Sequence, residues 1–342
     1  MSNPGQHMAA EIAEQPAVLG GLVARRGEIA DVAAAISRRP PRFALLAARG
    51  SSDHAALYAK YLIEVLLGLP AGLVSPSTVT LYGARPDLRD VLLVSVSQSG
   101  GSPDLLEFTQ TARKQGALTV AVTNTPASPL GGAAELAVDI GAGTETAVAA
   151  TKTYSATLLA LYLLIDAVRG GDSSAAAEIE PLARQALEVD VQRAVDRYRF
   201  VDRIITTGRG YSYATALESA LKLAETSYLA ARAYSGADLL HGPVAAVDEE
   251  TAVLAITGAG RGGAALRDVL TAVAERGADV LALGSSAGEV PAAVRIPVPS
   301  VAEELAPVLE VLPVQRIALG LALARGFDPD RPRGLNKVTR TR

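Results

Sequence analysis

The sequence predicts an α/β protein made of two copies of one unit, each a parallel sheet covered by helices on both faces. Three observations carry this. Apolar strands alternate with amphipathic helices at the spacing of strand–helix–strand units. Short motifs recur at nearly the same offset: Arg49-Gly50-Ser51-Ser52 returns as Arg209-Gly210-Tyr211-Ser212, and Lys114-Gln115-Gly116-Ala117 as Glu275-Arg276-Gly277-Ala278. Each copy also carries an apolar strand that runs into a glycine loop, Ser97-Gln98-Ser99-Gly100 in one and Gly258-Ala259-Gly260-Arg261 in the other.

Taken in order, residues 8–37 read as one or two amphipathic helices, with Pro16 as an interruption or a first-turn residue. A strand over 42–48 leads through Arg49-Gly50-Ser51-Ser52 into a helix over 53–67. A second strand is predicted over 71–75 and a short helix over 77–83. The strand Val91–Val96 then enters the serine loop, and Pro103 opens a helix that runs to Lys114 with Leu105, Leu106, Phe108 and Ala112 on its apolar positions. Gly116 caps that helix before a strand over 117–123; another short strand covers 136–140, and a nearly all-apolar helix covers 150–168. Gly170-Gly171-Asp172-Ser173-Ser174 marks a boundary. The resulting division is an N-terminal helical segment (1–37), a first copy (38–171), a helical connector (172–198), a second copy (199–328) and a C-terminal tail (329–342).

Composition narrows the chemistry. The 342-residue chain is 49% hydrophobic and 20% charged, with net charge −4, so a large core is available and no basic block points to nucleic acid or an anionic membrane. It has no cysteine, which excludes disulfides, thiolate metal sites and a cysteine nucleophile in this sequence. His7, His54 and His241 are the three histidines, too few for a classical metal cluster, although carboxylates remain able to hold Mg²⁺. The first 17 residues lack a positively charged start before an apolar run, and the apolar stretch 156–168 is too short to span a bilayer and contains Asp166. These features lead us to expect a cytoplasmic protein with no membrane partner.

The serine loop offers a cradle for a phosphate monoester. Amides at a helix start lack backbone partners, the helix dipole makes them partly positive, and glycines allow close approach of an anion. Ser97, Gln98, Ser99 and Ser102 add donors around that point. A serine-rich capped turn would look the same, since no residue of the loop is positively charged. The second copy lacks the serine cluster, so only the first is expected to hold the anion. Gly258, Gly260 and Gly263 satisfy G-x-G-x-x-G, but Asp279 opens the next strand, whereas a ribose-binding acid belongs at that strand's far end. A dinucleotide site is therefore not expected.

Three segments carry candidate chemistry. Glu218, Lys222 and Glu225 are spaced i, i+4, i+7 on a predicted helix and share one face. That pattern is commonly a solvated charge ladder, but the apolar neighbours Leu217, Ala220, Leu221, Leu223 and Ala224 argue for partial burial, where a carboxylate can work as a base near neutrality. His241 precedes a Gly-Pro turn after a stretch, 234–238, that reads as irregular. Lys337 lies in a Pro-, Gly- and Arg-rich tail that would ordinarily be read as a frayed end.

These motifs, with Val148-Ala149-Ala150-Thr151-Lys152, resemble the double sugar-isomerase (SIS) domain proteins over essentially the whole chain. The resemblance is to the isomerase half of glucosamine-6-phosphate synthase, and closer still to stand-alone type II glucosamine-6-phosphate deaminases. It implies two tandem three-layer, flavodoxin-like SIS domains and no cofactor or metal. It also implies site roles. Ser97, Gln98, Ser99 and Ser102 would hold a 6-phosphate, and Ser51, Ser52 and the Val148 backbone would meet sugar hydroxyls. Glu225 would shuttle a proton between C1 and C2. His241, supplied by the neighbouring subunit of a homodimer with a shared active site, would assist ring opening. Lys337 would reach the open-chain carbonyl with Lys222 nearby. The synthase pattern has lysine at Ala224 and serine at Ala150, so contacts there differ. With no glutaminase domain or cysteine in the sequence, free ammonia is the expected nitrogen species. The implied reaction is glucosamine 6-phosphate to fructose 6-phosphate plus ammonia. A lyase, dehydratase or deglycase on an N-substituted aminosugar 6-phosphate, or a non-catalytic sugar-phosphate sensor, are the competing readings.

Overall fold

The computed structural model describes residues 3–337. The chain forms two compact units that are not consecutive blocks of sequence. One comprises residues 17–145 and 152–177 with the tail from 336; the other comprises 1–16, 146–151 and 178–335. Helix α1 (Gln6–Ala24) runs through the division at 16/17 with Pro16 inside it, so Pro16 is neither a break nor a first-turn residue.

The first unit holds α2 (Arg26–Ser37), β1 (Phe43–Ala47), α3 (Ser51–Leu66), β2 (Ala71–Leu73), α4 (Ser77–Thr80), β3 (Val91–Val96) and α5 (Pro103–Lys114). It continues with β4 (Leu118–Thr123), α6 (Pro129–Ala133), β5 (Leu136–Asp139) and α7 (Lys152–Val168). Its five strands pair in parallel in the order β2-β1-β3-β4-β5. Ala47 stands opposite Ser95 and Val96 opposite Val122, so β1, β3 and β4 end level with one another. Alternation explains the unbroken apolar run of β3: Leu93 faces Leu105, Phe108 and Ala112 of α5, while α2, α3 and α7 cover the opposite face of the sheet.

The second unit holds α8 (Ile179–Glu188), α9 (Gln192–Tyr198), β6 (Arg203–Gly208), α10 (Tyr213–Ser227), β7 (Ala230–Ser235) and α11 (Gly236–Leu240). It continues with β8 (Ala252–Ile256), α12 (Arg261–Ala274), β9 (Asp279–Gly284), β10 (Val294–Pro297) and α13 (Ala306–Ala324). Its sheet, β10-β9-β8-β6-β7, is also parallel and repeats the order of the first. The stretch 234–238, expected to be irregular, is the end of β7 followed by α11, whose Ser235 accepts the Asp238 amide as an N-cap.

Among the described residues, the helix long and apolar enough to cross a bilayer is Glu303–Ala324 rather than the 156–168 stretch, and 83% of that apolar window is buried in protein. In α7, every residue from Lys152 to Asp166 is buried. Asp166 organises the turn that follows: its carboxylate accepts from Ser173 N at 2.8 Å and Ser173 Oγ at 3.2 Å, and pairs with Arg169. Asp166→Ala would leave the Ser173 amide and hydroxyl without that acceptor. We expect a loss of about 2–3 kcal/mol, read from urea denaturation, with Asp166→Asn recovering part of it.

Candidate active site

Parallel strands in the order 2-1-3-4-5 reverse direction of connection between β1 and β3. A crevice opens there, outside their carboxyl ends, and it is the place where α/β sheets bind ligands. The first unit puts its predicted residues at that point. Ser51 and Ser52 open α3 directly after β1, and Ser97–Ser102 connect β3 to α5.

The loop is firmly built. Ser97 is buried, and its Oγ accepts from Gly100 N at 3.2 Å; Ser99 Oγ accepts from Gly101 N at 3.3 Å. The Gln98 carbonyl accepts from Asn124 N at 3.1 Å and Thr123 Oγ1 at 3.3 Å. Gly100 has φ +60°, and a Cβ there would fall 1.9 Å from Ser128 Oγ, so both conformation and space demand glycine. Ser102 is the N-cap of α5 in extended conformation but makes no capping side-chain bond, with Pro103 next to it.

Sequence reasoning found no positive charge in this loop, and the fold supplies one beside it. Arg49, after β1, sets its guanidinium 2.8 Å from Asp104 Oδ2 in the first turn of α5. Asp104 is 2% exposed and Arg49 43% exposed, so the arginine bridges the two strand ends and still reaches solvent. No local signal marked Arg49 for this place: the strand order makes the residues after β1 neighbours of the helix after β3. Burial pushes the Asp53 carboxyl up, against the lowering effect of His54 and Arg49.

Lys337 is not frayed. Its Nζ lies 2.7 Å from Glu145 Oε2, and the Glu145 side chain has no exposed surface. Thr153 donates its amide (3.0 Å) and hydroxyl (2.7 Å) to the same carboxylate. Burial alone would raise Glu145, but the Lys337 charge and these donors together hold it below the ordinary carboxylate range. Glu145 gave no sequence signal beyond its type. The tail residues Val338 and Thr339 lie outside the described residues.

The remaining candidates belong to the second unit. On α10, Lys222 Nζ lies 2.5 Å from Glu225 Oε2 and 3.4 Å from Glu218 Oε1. Glu218 and Lys222 are buried while the Glu225 side chain is 24% exposed, so the three form an anchored pair with one acid reaching outward, not a solvated ladder. His241 is exposed at the end of α11, its amide bonded to the Asp238 carbonyl at 3.1 Å. Val148 sits in a segment pinned by residues that sequence reasoning passed over. Glu11 accepts from the amides of Thr146 and Ala147, and Gln315 donates to the Thr151 carbonyl at 3.2 Å while accepting from Gln15 Nε2 at 2.8 Å. The tail before Lys337 is anchored too: Arg333 stacks on Tyr228 at 3.9 Å, and Asp330 accepts the amides of His7 and Met8 at the start of α1. Among the described residues, no group of three or more His, Asp or Glu is arranged to hold a metal ion.

With this geometry in place, comparison with known proteins is decisive for the family. The SIS domain profile matches residues 40–167 and again 198–325. The chain belongs to the SIS domain family. A glutamine–fructose-6-phosphate aminotransferase (isomerizing) of Gloeobacter violaceus is 34% identical to this SIS protein over 359 aligned positions, covering 96% of this chain and 58% of that enzyme. The SIS protein thus spans less than two thirds of the curated relatives it matches. A Silicibacter pomeroyi DSS-3 structure, provisionally described as a phosphosugar isomerase, superposes with TM-score 0.89 at 36% identity, covering 94% of this chain and 99% of that one. The glucosamine-6-phosphate deaminase of Thermotoga maritima shares the fold, with TM-score 0.80 at 23% identity and coverage of 98% and 100%.

Two outcomes test the electrostatics. Removing Lys222 withdraws the ammonium from buried Glu218, so Lys222→Ala should lose about 3 kcal/mol in urea denaturation, with Glu218→Leu/Lys222→Met recovering much of it. In the second unit, complete burial pushes the Glu310 carboxyl up from 4.5 to about 7, opposed by donors Ser212 and Thr215 and reinforced by the Glu303 charge. The folded state then holds the proton more tightly than the unfolded chain. This contribution is whole below about pH 4.5 and fades as pH rises to about 7, by about 3 kcal/mol in all. Stability of Glu310→Gln, followed by denaturant titration at each pH, should lack this decline.

Proposed function

We propose that this SIS protein is an isomerase that deaminates an aminosugar 6-phosphate, converting glucosamine 6-phosphate and water to fructose 6-phosphate and ammonia. The single observation that carries the proposal is Glu225, an acid oriented by a buried lysine and left partly exposed. An aldose–ketose step needs a group of that kind to move a proton between adjacent carbons. Phosphate capture falls to Ser97, Gln98, Ser99 and Ser102, with Ser51, Ser52 and the Val148 backbone for sugar hydroxyls. The switch-point position of the serine loop supports that role.

In this scheme Glu225 takes the C2 proton of the open-chain 2-amino aldehyde, giving an enolamine. Return of the proton at C1 leaves an imine at C2, which water hydrolyses to the ketone with release of ammonia. Lys337 stabilises charge on the carbonyl oxygen; its pairing with buried Glu145 supports a role as ammonium. His241 acts from the partner in a homodimer, a role that its exposed position just after α11 supports.

Glu225→Gln should cut turnover roughly 10²–10⁴-fold while KM for the sugar phosphate stays within a few-fold, measured by ammonia release from glucosamine 6-phosphate. Turnover near that of the unmodified protein would refute the assignment. An unsaturated product from the N-acetylated sugar phosphate, without ammonia from the free amine, would establish the elimination reading instead. Binding of sugar phosphates without turnover of any of them would leave a sensor.

A further inference from the structure

The second unit has the same strand order and therefore the same crevice, between the ends of β6 and β8. Its walls match those of the first: Arg209-Gly210-Tyr211-Ser212 after β6, and Gly258-Ala259-Gly260 leading from β8 into α12. What fills it differs. Glu303, from the segment between β10 and α13, places its carboxylate on the first two amides of α12, accepting from Arg261 N at 3.0 Å and Gly262 N at 2.7 Å. Seven residues on, Glu310 accepts from Ser212 Oγ at 2.9 Å and Thr215 Oγ1 at 3.1 Å on the β6 side.

The backbone is shaped around that anion. Gly260 has φ +114°, and a Cβ on it would fall 2.4 Å from the Glu303 carboxyl carbon and Oε2. A Cβ on Gly262 would fall 2.5 Å from the Arg209 carbonyl oxygen and 3.1 Å from Glu303 Oε1. An anion is thus present at the dipole-favoured end of a fourteen-residue helix, chelated by two amides and admitted by glycine. It is delivered by the chain itself.

We propose that Glu303 is a built-in ligand that closes the second repeat's oxyanion seat, so that the chain takes one phosphate monoester and not two. The seat corresponds by repeat to the first unit's loop, and its chemistry, two helix-start amides in a switch-point crevice, is that of an oxyanion site once the tethered carboxylate is removed. Glu310 closes the other wall, where its carboxyl oxygens accept from the Ser212 and Thr215 hydroxyls. The inference rests on the first repeat's loop being a phosphate seat, but not on the reaction assigned above.

The test uses inorganic phosphate as the probe on the full chain, by isothermal titration and ³¹P line-broadening, with chloride at equal ionic strength as control. The unmodified protein should bind one phosphate, and Ser97→Ala/Ser99→Ala should weaken it at least tenfold. Adding Glu303→Ser to that double variant should restore one phosphate, and Tm should rise with phosphate by several degrees more than in the double variant alone. Absence of restored binding in a folded triple variant, or two phosphates on the unmodified protein, would overturn the proposal. If Glu303→Ser does not fold in chloride, recovery of soluble protein on refolding in phosphate supports the proposal, and equal failure in both salts overturns it. No phosphate on the unmodified protein but one on Glu303→Ser would refute the first seat and with it the count of one, while supporting Glu303 as the group that closes the second.

Discussion

Amides at a helix start need an acceptor, and how that need is met distinguishes the two halves of this protein. Both units bring a helix start to the crevice beside their central strand pair, because both use the same parallel order. In the first, Ser102 caps α5 without a side-chain bond, and the Ser97 and Ser99 hydroxyls line the loop. In the second, Glu303 spans two amides of α12. The second helix start thus has a carboxylate supplied by the chain itself, where the first has a serine loop. The same fact disposes of the dinucleotide-like glycine spacing at 258–263: the glycines admit a carboxylate and a close backbone crossing. Asp279, which that fingerprint would set on a ribose, is bound to Arg197 and the Tyr198 hydroxyl.

Charge is handled throughout by pairing at different depths. Lys222 is buried and shared by Glu218 and Glu225, Asp104 is buried against Arg49, and Glu145 is buried against Lys337. In each case one partner is held by the fold and the other, Glu225, Arg49 or Lys337, retains exposed surface. That arrangement fixes a functional group without sealing it off. It also explains how a Pro-, Gly- and Arg-rich stretch is held in place: Asp330, Arg333 and Lys337 each have a partner elsewhere in the chain.

Much of the fold was legible from local pattern. The alternation of strands and helices, the internal repeat, the N-terminal proline of α5 and the loss of serines in the second copy all rest on residues near one another in sequence. The element bounds moved by a few residues at most, as at β2 and α4, where ends are set by hydrogen bonds and not by composition. The misread stretch 234–238 illustrates the limit: Tyr234-Ser235-Gly236-Ala237-Asp238 is weakly patterned, and its structure comes from pairing β7 with β6 and from the Ser235 cap. Pro16 misled for a related reason, since α1 tolerates it in mid-helix.

By itself the sequence determined the fold class, the serine loop between a strand and a helix start, and the i, i+4, i+7 placement of Glu218, Lys222 and Glu225, because each is a matter of periodicity or of contiguous residues. Only the tertiary structure decided which distant residues complete these features. Arg49 reaches Asp104, Glu145 holds Lys337, Glu11 and Gln315 pin the Val148 segment, and Glu303 fills the second crevice. These partners lie tens to hundreds of residues apart, and a lone acid or arginine carries no mark of the amide or ammonium it will meet. Their meeting is set by strand order, which composition and spacing do not encode.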